Sequence, residues 1–419
     1  MRSAGFLPVL VALGCLGTSA AAQPGSARRV NADVAYLASD AREGRGVGTA
    51  GLDAAADYIA REFARIGLSQ PWEHGYFQHF TIDSTAPAAA HANIGGAAVK
   101  NVVGVLPGRG PLAGQVVVLG AHYDHLGRGG AGMGSLDPDS IDVIHNGADD
   151  NASGTAALLE AARLLRGRLQ GNRRTIVFVA FTAEESGLIG SGWYVQHPLH
   201  ATDSTVAMIN FDMVGRLRDG RLLALGAGTA PEFPALLDSL NAKHGFDLQA
   251  SGDGWGRSDH ASFYAVRIPV LHFFTDLHDQ YHRVSDDPET INAKGIAQVA
   301  AYAADLTIAL ATRAARPTYV SIPRPVIASG TRASLGTIPD MSSSPGGVRL
   351  TGVREGSPAD VAGIRGGDIV IRIGDHAIKD LNDMQNALTS HKAGDVVTVV
   401  VRRGDEEQSY TVTLGGRSE

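Results

Sequence analysis

Histidine and acidic residues cluster at several points along the chain, each cluster beside an apolar run. The first is the segment from Gly120 to His125, in which His122 and Asp124 are two residues apart and follow the run Val116 to Leu119. An imidazole can bind a metal through one ring nitrogen while a nearby carboxylate orients the ring through the other. Taken alone, the segment fits a polar surface turn equally well.

Two further clusters contain paired acids. Asp149 and Asp150 lie in the run Asn146 to Gly154, which leads into a helix. Capping and helix-dipole effects account for one aspartate there more readily than for two. Glu184 and Glu185 follow a predicted buried strand, and neighbouring glutamates repel each other unless a cation lies beside them. One member of such a pair can bind a metal while the other serves as a general base.

Asp212 and His282 complete the set. Asp212 is embedded in an apolar run, where burial of a carboxylate without a partner is costly, so a cation is expected nearby. The clusters supply two histidines, two aspartates and one glutamate as ligands, with a glutamate to spare. Such a set holds two divalent ions, with three protein ligands each, if one aspartate bridges. Mixed imidazole and carboxylate ligation with open positions suits catalytic zinc.

Composition excludes other classes of protein. The chain has 419 residues, a net charge of −7, 44% hydrophobic and 19% charged residues, as expected of a folded protein. The mildly acidic balance argues against a nucleic-acid partner. A single cysteine, Cys15, rules out a disulfide framework and thiolate zinc sites. Any metal site therefore has to be built from imidazole and carboxylate.

The elements that position these clusters are predicted to be strands of one sheet. Short continuous runs of Val, Ile and Phe indicate strands buried on both faces, and helical patterns lie between them. Alternating strands and helices imply an α/β fold with a mostly parallel sheet covered on both faces, and such sheets gather functional residues at strand ends. The predicted strands are 102–106, 116–121, 175–181, 206–211 and 268–274, and the predicted helices are 52–67, 155–166, 231–244 and 291–311.

The first segment of the chain, 1–22, predicts an export signal. Arg2 supplies the positive start, and the apolar run that follows is too short to span a bilayer. The small residues from Ala20 to Ala22 fit a cleavage site, so we expect a secreted or periplasmic protein without cysteine. The alternative is a lipid-anchored Cys15, although the residues before it fit a lipoprotein box poorly. No later stretch predicts a transmembrane helix.

Three further segments are predicted after the signal. Residues 23–312 contain the α/β pattern and all of the clusters, the proline-containing stretch 313–332 reads as a linker, and 333–419 form a smaller domain. In the smaller domain, short β-branched runs predict strands at 348–353, 369–373, 396–402 and 410–414, with one helix at 381–389.

The clusters contain the motifs HYD, GADDNASG, EE, FDM and YH in that order. With these motifs, residues 30–312 closely resemble the M28 family of metallo-aminopeptidases, the co-catalytic zinc exopeptidases. The resemblance implies two Zn²⁺ ions per chain and a peptide substrate with a free N-terminus. It agrees with the sheet and the ligand set inferred from the residues themselves.

The resemblance also implies residue roles. Asp149 would bridge the two zincs and be joined to Asp150 by a cis peptide bond, and Asp124 would orient a zinc-binding histidine. Glu184 would be the general base for a zinc-bound hydroxide nucleophile, and Tyr281 would steady the tetrahedral intermediate. The ligands of one zinc would be His122, Asp149 and Asp212, and those of the other Asp149, Glu185 and His282.

Other residues near the clusters receive weaker roles. Ser258, Asp259 and His260 resemble a family motif near the substrate pocket, which predicts a pocket wall without metal ligation. The loop 125–145 either shapes the pocket or orders around another ion. The remaining nearby histidines are expected to be ordinary polar or packed residues: His125, His145, His272 and His278.

Residues 330–416 resemble a PDZ domain of the type attached to bacterial proteases, through the motifs GSPA and AGIRGGD. PDZ domains bind an extended C-terminal peptide at a sheet edge, and backbone N–H groups of one loop hold its carboxylate. The candidate loop is Ser334, Leu335, Gly336 and Thr337, which departs from the usual apolar-Gly-apolar form at Thr337. The alternative is a docked structural domain that binds no peptide.

The expected function is that of a secreted di-zinc aminopeptidase. A single-zinc enzyme similar to the glutaminyl cyclases is one alternative, and a non-catalytic PDZ adaptor with a degenerate peptidase domain is another. His122 and a bridging aspartate favour two ions and hydrolysis. The intact base Glu184 and the full ligand set argue against the adaptor.

Overall fold

The structure is a computed structural model that describes residues 25–85, 89, 92–129, 134–137, 141–322, 333–340, 346–353 and 356–416. The predicted export signal, with Cys15, lies outside the described residues. The elements up to residue 312 form one α/β domain, and those from 333 to 416 form a small β-rich domain.

The α/β domain contains helices at both ends and between most strands. The helices are α1 (Ala27–Leu37), α2 (Ala50–Ile66), α3 (Gly154–Arg168), α4 (Ile189–Gln196), α5 (Phe233–His244), α6 (His260–Ala265) and α7 (Ala293–Thr312). The strands are β1 (Phe77–Thr81), β2 (Ala98–Leu106), β3 (Val116–His122), β4 (Thr175–Phe181), β5 (Thr205–Phe211), β6 (Arg221–Leu225), β7 (Asp247–Ser251) and β8 (Val270–Phe274).

These strands form one eight-stranded mixed sheet in the order β1-β2-β4-β3-β5-β8-β6-β7. The central strands β4, β3, β5 and β8 are parallel to their neighbours in that group, whereas β1, β2 and the β8–β6 pair are antiparallel. Every residue of β3, β4 and β5 is buried, which explains their continuous apolar sequences. The predicted α/β fold with a mostly parallel mixed sheet is confirmed.

The sheet brings the predicted site segments together at one edge. His122, the last residue of β3, lies opposite Phe181, the last residue of β4, and Glu184 follows three residues later. On the other side of β3, Gly120 pairs with Asn210 of β5, so Asp212 emerges beside it. Because the central strands are parallel, their carboxyl ends share this edge.

Helices cover both the sheet and each other. Helix α2 begins after the N-cap residue Thr49, whose hydroxyl accepts the N–H of Leu52. It ends at Gly67, which was predicted to stop the helix and adopts a left-handed conformation with φ 80°. Helix α7 packs against α3 and α1. By length and composition alone α7 could cross a membrane, and 78% of its most apolar window is buried within the protein. The expected lack of a transmembrane segment stays a prediction.

The small domain consists mainly of antiparallel strands. Its elements are β9 (Ala333–Ser334), β10 (Thr337–Pro339), β11 (Val348–Val353), α8 (Pro358–Ala362), β12 (Ile369–Ile373), β13 (His376–Ala377), α9 (Leu381–Thr389), β14 (Val396–Arg403), β15 (Glu406–Thr413) and β16 (Gly415–Gly416). The main sheet has the order β10-β11-β12-β14-β15, β13 pairs with β12, and β9 pairs with β16. A buried core of aliphatic side chains, including Leu350, Val370 and Val399, lies between the strands and two helices.

Candidate active site

The carboxylate of Asp150 lies at the centre of the site. Its Oδ1 is 3.3 Å from Nε2 of His122, and its Oδ2 is 3.2 Å from Nε2 of His282. Each histidine faces a second carboxylate: Oδ1 of Asp212 is 3.4 Å from Nε2 of His122, and Oε2 of Glu185 is 3.2 Å from Nε2 of His282. Two histidine–carboxylate groups therefore share one aspartate, with one oxygen for each group.

Asp149 does not take this central position. Its Oδ1 accepts hydrogen bonds from the N–H of Gly215 at 2.6 Å and from the hydroxyl of Ser153 at 2.9 Å. Its Oδ2 is 3.1 Å from Nε2 of His278. All of these partners lie outside the cluster around Asp150, so the expectation that Asp149 bridges the two metal positions is wrong by one residue.

The cis peptide bond of this turn also lies one residue later in the chain than expected. The non-proline cis bond joins Asp150 to Asn151, whereas the family resemblance implied one between Asp149 and Asp150. Asp286 holds the turn, because its Oδ2 accepts the N–H groups of both Asp149 and Asp150 at 2.9 and 3.1 Å. Adjacent aspartates are identical in type, so only the path of this backbone decides which of them faces the strand ends.

Asp124 contacts both His122 and the glutamate pair. Nδ1 of His122 is 3.3 Å from the backbone carbonyl of Asp124 and 3.7 Å from its carboxylate. That carboxylate accepts the N–H of Glu184 at 3.1 Å and of Glu185 at 3.3 Å. Asp124 therefore fixes the turn after β4 as well as lying beside the imidazole that it was expected to orient.

The two glutamates have opposite electrostatic environments. Burial, reinforced by repulsion from Glu185 and Asp212, raises the pKa of Glu184 well above its usual value despite the attraction of His122. Burial and repulsion from Asp150 would also raise the pKa of Glu185. Its contacts with His282 and His125 outweigh both effects and lower this pKa to about 2. Neighbouring acids whose pKa values are pushed apart can divide into a proton carrier and a permanent anion.

The geometry of Glu184 fits a proton carrier. Its side chain is 8% exposed, and Oε2 is 3.9 Å from Nε2 of His122. The turn that presents it contains Ala183 in a left-handed conformation with φ 54°. Met213, beside Asp212, and His282 itself are also left-handed, with φ 50° and 55°. Such conformations persist in non-glycine residues only where the surroundings enforce them, and they are frequent at functional sites.

The cluster fits bound cations. Burial disfavours a charged imidazole, yet the carboxylates of Glu184 and Asp212 raise the pKa of His122 well above its usual value. Oδ1 of Asp212 is buried without a hydrogen-bond partner among the described residues. Three-residue sets in the cluster place one potential ligand atom per residue within 4.8 Å of one another: His122 with Glu184 and Glu185, His122 with Asp150 and Asp212, and His125 with Asp150 and Glu185. Carboxylates packed this closely need compensating positive charge, which bound divalent metal ions would supply.

His125 is closer to the site than expected. Its Nδ1 is 2.7 Å from Oε1 of Glu185, so it contacts a candidate ligand directly. Its place three residues after His122 was the available signal. His145 hydrogen-bonds to Ser135, and His272 stacks on another histidine, which fits the expectation for these two. Asp286, which holds the central turn, was missed because its sequence shows no distinguishing pattern.

A short part of the loop 125–145 supports His282. Nδ1 of His282 lies 2.8 Å from the carbonyl oxygen of Gly134, and the N–H of Leu136 donates to the carbonyl of His282 at 2.9 Å. Asp137 accepts from Nη1 of Arg283 at 2.6 Å and from the N–H of Val284 at 2.9 Å. We call residues 134–137 the strap. It fixes the outer nitrogen of the imidazole and thereby the direction in which Nε2 points.

Tyr281 stacks on His282, with ring centroids 3.9 Å apart. Burial, reinforced by Asp150 and the two glutamates, raises the pKa of its hydroxyl above the usual value, although His282 opposes the shift. The hydroxyl therefore remains protonated and able to donate a hydrogen bond. Its expected role toward a tetrahedral intermediate stays a prediction.

Ser258, Asp259 and His260 are all buried. The hydroxyl of Ser258 accepts from Nδ2 of Asn210 at 2.7 Å. The ring of His260 stacks on that of His272 at 4.5 Å. Burial raises the pKa of Asp259 to about 7. The three residues thus form a buried layer, and their predicted role as a pocket wall stays a prediction.

The candidate carboxylate loop of the small domain links β9 and β10. Leu335 is buried, and its carbonyl accepts the N–H of Ala359 at 2.9 Å. Gly336 is left-handed with φ 70°, and its N–H donates to the hydroxyl of Ser334 at 3.1 Å. Thr337 begins β10, which is an edge strand among the described strands. One loop N–H already has a partner, and peptide capture here stays a prediction.

Comparison with known families agrees with both domains. Residues 101–307 match the family model of Peptidase family M28, and residues 333–414 match that of the PDZ domain. The chain contains an M28 peptidase domain followed by a PDZ domain.

Two similar proteins are leupeptin-inactivating enzyme 1 of Streptomyces exfoliatus, 29% identical over 55% of this chain, and aminopeptidase YwaD of Bacillus subtilis, 29% identical over 48%. The chain spans 44% and 42% of these two proteins, less than half of either.

Solved structures share the fold of the M28 domain. A zinc aminopeptidase from Bacillus subtilis superposes with a TM-score of 0.56 at 19% identity, covering 69% of this chain and 96% of the other. A glutaminyl cyclase from Bacteroides thetaiotaomicron bound to N-acetylhistamine gives 0.55 at 18% identity, covering 68% and 99%. The fold is thus common to two kinds of enzyme, and the reaction has to be argued from the site.

Proposed function

We propose that the M28 domain is a di-zinc aminopeptidase that hydrolyses N-terminal residues from peptides. The observation that carries the proposal is the placement of Asp150, whose two oxygens lie 3.3 and 3.2 Å from His122 and His282. A carboxylate that faces two histidine groups in this way is suited to bridge two ions. A single ion would need only one of these two groups as its ligands.

The candidate metal ligands form two sets that share Asp150. One ion would be held by His122, Asp150 and Asp212, and the other by Asp150, Glu185 and His282. Two bound zinc ions would supply Lewis acidity toward the scissile carbonyl and lower the pKa of a water between them. With three protein ligands each, both ions would keep open positions, as catalytic zinc requires.

Glu184 and Tyr281 would perform the proton and charge steps. Glu184 accepts a proton from the attacking water at its buried carboxylate and returns it to the leaving amine. Its raised pKa brings proton uptake closer to neutral pH, where both transfers are favourable. The protonated hydroxyl of Tyr281 donates a hydrogen bond to the oxygen on which negative charge develops.

Export and peptide capture also belong to the proposal. Residues 1–22 have the composition of an export signal, which supports a secreted or periplasmic enzyme. The edge strand β10 offers backbone groups for a C-terminal peptide at the PDZ domain. The enzyme's own substrate would be a peptide with a free N-terminus.

A panel of aminoacyl-chromophore substrates tests the proposal. Zinc-loaded protein should release the chromophore, a metal chelator should abolish the release, and added zinc should restore it. Blocking the substrate's amino group should prevent hydrolysis, because an exopeptidase needs a free N-terminus. A zinc-loaded protein that hydrolyses no member of the panel would contradict the proposal.

A further inference from the structure

Arg45 is a fully buried arginine between the segments that carry His122 and Asp150. Its Nε donates to the carbonyl of Tyr123 at 2.8 Å, and its Nη2 donates to the carbonyl of Gly147 at 2.8 Å. Nη1 donates to the carbonyls of Leu37 and Asn146, both at 2.7 Å. Within the described part of the chain, every hydrogen bond of this guanidinium therefore ends on a backbone carbonyl.

Two of the segments held by these bonds carry site residues. Tyr123 directly follows His122 at the end of β3, and Asn146 and Gly147 directly precede the turn that presents Asp150. The backbone of Arg45 strengthens the link, because its own carbonyl accepts the N–H of His125 at 3.2 Å. The side chain of Arg45 thus connects the segment that follows His122 to the turn that presents Asp150.

The chemistry of this position suits arginine. A guanidinium presents donors in a rigid planar fork, which can reach carbonyls on separate loops at once, whereas a lysine ammonium is a compact point charge. Burial lowers the pKa of Arg45 to about 10, against the opposing attraction of Asp124, Asp150 and Asp286. The side chain therefore stays charged near neutral pH beside an acidic cluster.

The local backbone directs Arg45 inward. Both Gly44 and Arg45 are left-handed, with φ 63° and 49°. A side chain at position 44 would collide with the carbonyl oxygens of Gly127 and His145, so this approach requires glycine. The turn thereby packs against the loop after β3.

We infer that Arg45 is a positioning residue for the metal site, setting the distance between the His122 and Asp150 loops through its fork of carbonyl hydrogen bonds. The inference rests on the proposed function. Metal ligands bind well only when their supporting groups hold them in place, and loss of such a support typically weakens metal affinity by about 10–100-fold.

Arg174 provides a matched control elsewhere in the domain. It is also fully buried, and its guanidinium donates to the carbonyls of Leu310, Arg313 and Ala314 at 2.6, 2.5 and 3.1 Å and, through Nε, to the side-chain oxygen of Gln115 at 2.9 Å. These carbonyls lie at and beyond the end of α7 and carry no residue of the site. Replacing Arg174 should therefore reproduce the loss of a buried carbonyl-binding fork without disturbing the metal ligands.

The test compares Arg45→Lys with Arg174→Lys in the full chain. The zinc dissociation constant of each folded protein is measured by competition with a chromophoric chelator, alongside the melting temperature. Both variants should melt at lower temperature than the parent. Arg45→Lys should bind zinc about 10–100-fold more weakly, whereas Arg174→Lys should bind it as the parent does. If Arg45→Lys does not fold, Arg45→Gln is measured in the same way.

The outcomes separate this inference from the proposed function. If the parent binds zinc and the folded Arg45 variant binds it equally tightly, the inference is overturned and the proposed function stands. Equal weakening in the Arg45 and Arg174 variants would also overturn it, because the effect would then be general destabilisation. A parent that binds no zinc overturns both.

Discussion

Adjacent residues of the same type have different roles in the site. Asp150 faces two histidines, while Asp149 is saturated by Gly215, Ser153 and His278. One aspartate is thus open to ions, and the other fixes the backbone that presents it. The adjacent glutamates divide similarly, since burial and repulsion raise the pKa of Glu184 while histidine contacts lower that of Glu185.

The corrected position of the bridging aspartate gives a matched pair of variants. Asp150→Asn should lose most bound zinc, because the amide cannot supply a negative oxygen to both ions. Asp149→Asn should keep the zinc content of the parent and lower the melting temperature, since it weakens hydrogen bonds within the fold. Elemental analysis of the purified, zinc-equilibrated proteins measures the difference. Full zinc in Asp150→Asn with loss in Asp149→Asn would restore the original sequence-based assignment.

Glu184→Gln separates proton transfer from metal binding. The amide keeps the shape of the side chain but cannot accept the proton, so kcat should fall by about 10²–10⁴-fold. Zinc content should remain that of the parent, whereas His282→Ala, which removes a ligand, should lower it. Turnover of Glu184→Gln at the parent rate would show that another group is the base.

At the scale of elements, the sequence predicted what depends on apolar patterning. The strands β3, β4 and β5 are continuous apolar runs because both faces are buried, and Gly67 ends α2 because its left-handed conformation suits glycine. The strands β1, β6 and β7 were missed. Each has only five residues, and few residues of β1 and β7 are buried. Patterning places His122, the glutamate pair and Asp212 at or just after strand ends, and this was enough to gather these residues at one sheet edge.

Connections between loops were less predictable. The choice between Asp149 and Asp150 depends on the turn held by Asp286, which lies far along the chain. Arg45 acts through backbone carbonyls, so no complementary residue type marks its partners. Such interactions depend on three-dimensional proximity, which neither spacing nor composition contains.

The strap 134–137 gives a prediction at the element scale. Asp137→Ala removes two hydrogen bonds that anchor the strap to the residues after His282. The imidazole should then be held less firmly, and zinc affinity should fall by about 10-fold or more. Asp142→Ala is the control, because Asp142 lies in the same loop with its side chain 81% exposed. Equal zinc affinity in Asp137→Ala and Asp142→Ala would show that the strap does not support the ligand.

At the scale of the whole molecule, the metal site concentrates negative charge inside the α/β domain. Zinc bound only by the folded state should stabilise it, by about 2.7 kcal/mol when free zinc is 100 times the dissociation constant. A chelator should therefore lower the melting temperature of this domain, and zinc should restore it. Magnesium should not, because it prefers oxygen ligands and nearly octahedral geometry. An unchanged melting temperature after verified removal of bound metal would contradict a site built into the fold.

The fold of the M28 domain is shared by aminopeptidases and glutaminyl cyclases, so the most direct measurement is one that distinguishes their products. A peptide with N-terminal glutamine is incubated with zinc-loaded protein and analysed by mass spectrometry. A di-zinc aminopeptidase should remove the whole N-terminal residue from the peptide, a chelator should prevent this, and an N-acetylated copy should stay intact. Loss of ammonia alone, with the glutamine cyclised in place, would contradict the di-zinc aminopeptidase.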